Sequence, residues 1–134
     1  MSTRTLGSRG EESAALYLTK QGCTILGRNV RLGHLEIDII ASDGTHLIFA
    51  EVKTRRCLPD VRSRFGRPAD AVDARKRAHL TDAVRLWRKR FPGEYDSLIP
   101  NIDIIEVYAD PASAQYRVLE IRRYRNAVNG MKGT

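Results

Sequence analysis

The chain has 134 residues, 42% of them hydrophobic and 29% charged, which fits one ordinary domain that can bury a core without disulfide or metal staples. Its 23 lysines and arginines outnumber 16 aspartates and glutamates for a net charge of +7, a balance that suits a polyanionic partner better than a neutral metabolite. Two isolated cysteines exclude a disulfide scaffold and a Cys/His zinc cluster, and no apolar run approaches the roughly 18 residues that span a bilayer.

Met1 to Gly10 lacks the apolar core of a signal peptide, so the protein is expected to be cytoplasmic, with no membrane partner. Met1 to Gly7 is polar and expected to be flexible. Ser8 and Glu11 match the Ser-x-x-Glu capping box, which predicts a helix from Arg9 to Gln21 that stops at Gly22. Glu11, Ala14, Ala15 and Leu18 fall on one face of that helix. Glu11 therefore has two readings: it closes the capping box, or it is a carboxylate aimed inward.

Thr24 to Arg31 reads as a first strand. From Leu35 to Arg55, two runs rich in β-branched residues flank Asp43-Gly44, the signal for a tight hairpin. With those two as the loop, Glu36 is expected opposite Glu51, Ile37 opposite Ala50 and Ile39 opposite Ile48. Ile37, Ile39, Ile48, Ala50 and Val52 then share a buried face. The other face carries Glu36, Asp38, Glu51 and Lys53, with Ile40, Leu47 and Phe49 towards the turn. Like charges facing each other destabilise a sheet. A divalent cation among them resolves the conflict; a solvated face with Lys53 in a surface salt bridge is the alternative.

Residues Thr54 to Pro68 lose all periodicity and carry Arg55, Arg56, Arg62, Arg64 and Arg67, a basic loop able to follow a phosphate backbone or simply to be solvated. A long helix is expected over Asp70 to Phe91. Its apolar stripe is Val72, Leu80, Ala83, Val84, Trp87 and Phe91. Lys76 lies on the inner side, one turn before Leu80, where it either snorkels along the core or reaches a phosphate. Strands follow over Ile99 to Tyr108 and Gln115 to Tyr124, and Arg125 to Thr134 is expected to fray. The order is α-β-β-β-α-β-β in a single domain of residues 1–134, an α/β sandwich with one main sheet and helices packed on it.

Asp38, followed thirteen positions later by Glu51-Val52-Lys53, resembles the Asp…(Asp/Glu)-x-Lys pattern of the PD-(D/E)xK nucleases. The chain is more closely similar to the YraN family, a Holliday-junction-resolvase-like bacterial group. The likeness rests on Gly10-Glu11, Ala14, Leu18, Gly22, Arg28-Asn29, Glu36-Ile37-Asp38, Glu51-Val52-Lys53, Arg55, Gly66-x-Pro68, Ala71-Val72 and Lys76. Ile37 stands where the wider superfamily has proline, and Asn101 where an arginine is expected ahead of Asp103.

The resemblance implies a restriction-endonuclease-like αβββαβ fold, with a central mixed sheet flanked by helices. It also implies that Glu11, Asp38, Glu51 and Lys53 occupy the nuclease positions. Asp38 and Glu51, with Glu11 directly or through water and the Val52 carbonyl, would hold Mg2+ or Mn2+. Lys53 would orient the attacking water, and Glu36 would tune the site from behind the ligands. Arg55, Arg56, Arg62, Arg64, Arg67 and Lys76 are the expected nucleic-acid contacts. The function so implied is a metal-dependent endonuclease on structured DNA, acting as a possible homodimer. The alternative is a non-catalytic nucleic-acid-binding module on the same fold.

Overall fold

The computed structural model describes residues 2–59, 74–127 and 132–133. Its elements are α1 (Thr3–Lys20), β1 (Thr24–Leu32), β2 (Leu35–Ser42), β3 (His46–Arg55), α2 (Ala74–Arg90), β4 (Ile99–Ala109), β5 (Val118–Arg125) and β6 (Lys132–Gly133). The strands form one sheet in the order β1-β2-β3-β4-β5-β6. Neighbours are antiparallel except β3 and β4, which are parallel. A parallel pair cannot be closed by a tight turn, and α2 lies in the long connection it needs. The αβββαβ order and the mixed sheet flanked by helices are thus as the sequence predicts.

Helix α1 begins earlier than its capping box implies. Ser2 is the N-cap, its Oγ accepting the Thr5 N–H at 3.1 Å, so Thr3 to Gly7 are helical and Ser8 and Glu11 lie inside the helix. Glu11 is consequently not the closing residue of a cap. Gly10 is buried against β3, where a Cβ would overlap the Thr54 side chain. Ala14, Ala15 and Leu18 pack beneath it with Cys23, Ile39, Ala41, Ile48, Ala50, Ile105 and Val107.

On the opposite face, α2 lays Ala83, Val84 and Trp87 against Leu32, Leu35, Ile40, Leu47 and Phe49. Burying a Leu, Ile or Phe side chain stabilises a fold by roughly 1.5–3 kcal/mol, so these two apolar layers clamp the sheet. Phe91 and Tyr95 extend the second layer, their rings 4.6 and 5.7 Å from that of Trp87. The first residues of the expected long helix, 70–73, lie outside the described residues.

The β2–β3 hairpin pairs Ile39 with Ala50, Ile40 with Phe49 and Ser42 with Leu47, two residues away from the expected register. The cause is the Asp43 side chain. Its Oδ1 accepts the N–H groups of Thr45 and His46 at 2.9 and 2.7 Å, and the Asp43 N–H faces the His46 carbonyl at 3.4 Å. Gly44, at φ +90°, and Thr45 therefore form the centre of the turn, instead of Asp43 and Gly44. An even slip leaves each side chain on its own face. Glu36, however, does not come opposite Glu51.

Ile37 departs from the expected face. It packs with Leu35 and Val30 against the α2 layer, whereas Ile39 packs under α1. The alternation breaks at the rung between them, where Asn29 on β1 takes a left-handed φ of 50°, a conformation that asparagine tolerates better than other side chains. Asp38 sits at the same break.

Strand β4 carries two buried acids. Asp103, 1% exposed, receives Arg123 Nε and Nη2 at 2.9 Å on Oδ2 and the Asn126 N–H at 2.9 Å on Oδ1. Glu106, also 1% exposed, accepts the Tyr108 hydroxyl at 3.0 Å. No helix among the described residues is long and apolar enough to cross a membrane.

Candidate active site

Strand β3 supplies two of the site's side chains by simple parity. Glu51 and Lys53 are two residues apart, on the face that carries Leu47 and Phe49 towards α2. Lys53 Nζ lies 2.8 Å from Glu51 Oε1, and Lys76 Nζ reaches down from the first turn of α2 to within 2.9 Å of Glu51 Oε2. Lys76 was expected to snorkel along the core or to reach a phosphate; its amine ends on the Glu51 carboxylate.

Strand β2 supplies Asp38. Its Oδ2 accepts the Val52 N–H at 2.8 Å, one step past the last β2–β3 pair, so a carboxylate takes the place of a backbone carbonyl where the ladder stops. Glu11 comes from α1, and with the Asn29 amide assigned so that its nitrogen faces the acid, that nitrogen donates to the two carboxylate oxygens at 3.0 and 3.1 Å. The left-handed backbone of Asn29 thus ties α1 to the broken rung that carries Asp38.

The charges are unevenly compensated. Burial raises the pKa of Asp38, and repulsion by Glu51 and Glu36 adds to it, against the Val52 N–H and Lys53. Burial likewise raises Glu11, with repulsion from Asp38 behind it, opposed by Asn29 and Arg28. Burial would also raise Glu51, but the hydrogen bonds and charges of Lys53 and Lys76 outweigh it and hold the carboxyl below the ordinary range. The acids consequently divide into one neutralised by two lysines and two that repel each other.

Such a donor set fits a hard divalent cation. Oxygen ligands are what Mg2+ and Mn2+ take, one or two carboxylates suffice when waters fill the remaining positions, and a cation relieves the repulsion that keeps Asp38 and Glu11 hard to ionise. Asp38 and Glu51 are the pair that would hold it. Among the described residues, no group of three Asp, Glu, His or Cys side chains is gathered closely enough to ligate an ion on its own.

Glu36 is exposed at the mouth of a cavity of about 160 Å3 that also borders Asp38, Glu51 and Lys76. Arg55 continues β3 two residues beyond Lys53, on the same face by alternation. Arg56 is turned away, its Nη2 donating to the Ser113 carbonyl at 2.8 Å. Arg62, Arg64 and Arg67 lie outside the described residues. Sequence reasoning gave no role to Asn29 or Glu106. Asparagine between Arg28 and Val30 in a strand is a signal for a left-handed break, but Glu106, aligned with Lys53 on the neighbouring strand, follows only from the β3–β4 register.

The model described as "Uncharacterised protein family UPF0102" matches residues 10–107. The chain belongs to this family. Glu11, Asp38, Glu51, Lys53 and Lys76 all fall within the matched stretch. A UPF0102 protein of Caldicellulosiruptor saccharolyticus is 37% identical over 127 residues, covering 95% of this chain and 99% of the relative. UPF0102 proteins of Symbiobacterium thermophilum and an Arthrobacter species are each 40% identical, over 81% and 87% of this chain and 86% and 92% of their own lengths. Among solved structures, Pyrococcus furiosus SfsA in complex with Ca2+ aligns with a TM-score of 0.39 and 15% identity, over 90% of this chain and 64% of that one.

Proposed function

We propose that this UPF0102 protein is a metal-dependent endonuclease that hydrolyses phosphodiester bonds of structured DNA. The observation that supports it most is the convergence of Asp38 from β2 with Glu51 and Lys53 from β3, two acids and an amine brought to one spot at the sheet's broken rung. When bound between Asp38 and Glu51, Mg2+ or Mn2+ supplies a Lewis acid for the phosphate and lowers the pKa of a ligated water. Lys53, 2.8 Å from Glu51, would orient the attacking water and stabilise charge on the phosphate oxygens. Lys76, on the α2 side, would hold a neighbouring phosphate.

Exposed Arg75, Arg85 and Lys89 on α2, with Arg28 and Arg31 on β1, supply the positive surface that a nucleic-acid backbone needs. Two symmetric cuts in a four-way junction would call for a homodimer.

The test is cleavage of junction, flap and single-stranded DNA with Mg2+ or Mn2+, alongside calorimetric Mn2+ binding. Asp38→Ala and Lys53→Ala are expected each to abolish cleavage, and only Asp38→Ala to abolish metal binding. One observation favours the non-catalytic alternative: both Glu51 oxygens are already satisfied by lysines. Salt-sensitive DNA binding that survives both substitutions, with no cleavage by the parent chain, decides for that module.

A further inference from the structure

The cavity beside the site has a divided lining. Its inner wall is apolar, with Ile37, Phe49, Leu80 and Ile102, and its rim is polar, with Glu36 next to Asp38 and Glu51, and with Lys76, already paired to Glu51, and His79 from α2. Ile37 is in that wall only because the strand's alternation breaks at Asp38. The same irregularity that aims the carboxylate also builds the pocket. The volume of about 160 Å3 accommodates one planar ring system, since an apolar protein cavity of roughly 150 Å3 accepts benzene, and the open mouth leaves the attached sugar outside.

We propose that this cavity receives a single unstacked nucleobase, the one attached to the nucleotide whose phosphate lies at Asp38 and Glu51. The inference rests on the phosphodiester reading of those two acids and adds a substrate class to it: strands with an unpaired base at the cut. A base has the required division of character, an apolar face for Phe49 and Leu80 and an edge that hydrogen-bonds. Glu36 can only accept, so it favours the amino groups of adenine and cytosine. Thymine offers one N–H flanked by two carbonyl oxygens that a carboxylate repels. An unpaired nucleotide enters at little cost, whereas a base in a perfect duplex must first be unpaired and unstacked.

The experiment is a titration of the full chain, with isoleucine and leucine methyl groups labelled for NMR, at low salt without divalent metal. The probes are single-stranded hexanucleotides of dA, dC and dT and a hexamer that is abasic at every position. The Ile37 and Leu80 methyl signals are expected to shift with the dA and dC strands. The abasic strand is expected to bind about tenfold more weakly and to leave them in place. Glu36→Gln, at an exposed position, is expected to erase the preference over dT. Ile37→Trp, which fills the pocket, is expected to bring the dA strand down to abasic affinity. Strands that shift the amides beside Lys53 and Lys76 but leave both methyl groups unmoved overturn the base pocket and leave the endonuclease reading to its own cleavage assay. Failure of every strand to bind likewise overturns the base pocket, while the endonuclease reading is decided by cleavage of structured DNA with metal present.

Discussion

Asp38 hydrogen-bonds through Oδ2 to the backbone N–H of Val52, so a side chain of β2 completes the ladder of β3 one step beyond the last strand pair. The carboxylate at the centre of the candidate site therefore also holds the sheet.

Asp38→Ala leaves the Val52 N–H without that acceptor and is expected to lower stability by about 1–3 kcal/mol, whereas Asp38→Asn keeps an oxygen there and costs under about 1 kcal/mol. Urea unfolding of the two variants measures the difference. Equal losses would mean that the bond does not hold the strands.

Burial works against ionisation of Glu51, but Lys53 and Lys76 outweigh it and hold its folded pKa below the ordinary glutamate value of 4.5. Its pairing thus stabilises the fold above that pH and is lost as the pH falls through the lowered value. Lys76→Met removes one of the two partners. The pair is partly exposed, so a stability deficit of only about 0.5–1 kcal/mol is expected at pH 7, closing towards zero as acid protonates Glu51. Unfolding curves between pH 7 and acid conditions follow it.

At the hairpin turn, burial alone would raise Asp43, but the His46 and Thr45 N–H groups and the His46 ring bring it down from 3.8 to about 2. Its stabilisation is complete above the unfolded value and drains away as the pH falls through about 2. Asp43→Ala is expected to cost about 1 kcal/mol at pH 7, a figure reduced for solvent screening of a carboxylate at the surface, and almost nothing at pH 2. Thermal melts at the two pH values provide the comparison.

Arg123 and Asp103 are 3% and 1% exposed, so Arg123→Met strands a buried carboxylate and is expected to cost about 3–5 kcal/mol. Pairing that change with Asp103→Leu is expected to recover part of the loss, because the lone charge disappears. A double-mutant cycle in urea gives the coupling between them.

The element order was legible because alternation and helical periodicity are local properties. Glu51 and Lys53 could be placed on one face by counting two residues. The hairpin register was not legible, because it depends on the Asp43 side chain acting as a backbone acceptor, which moves the turn by one residue. Ile37 was assigned to the wrong face because the period-two rule fails at Asn29 and Asp38. The start of α1 was misplaced because the Ser8-x-x-Glu11 pattern is the stronger local signal, whereas Ser2 is the residue that caps the helix. The Asp103–Arg123 pair joins residues on different strands, and only the register of β4 and β5 brings them together.

Gly10 sets a limit on how the site can respond. With no room for even a methyl group between α1 and Thr54, the helix is pinned to β3 one residue before Glu11. It cannot slide along the sheet without lifting off it. If Glu11 takes part in the proposed metal site, the shortest adjustment open to it is rotation about its own side-chain bonds, which would cost its contact with Asn29.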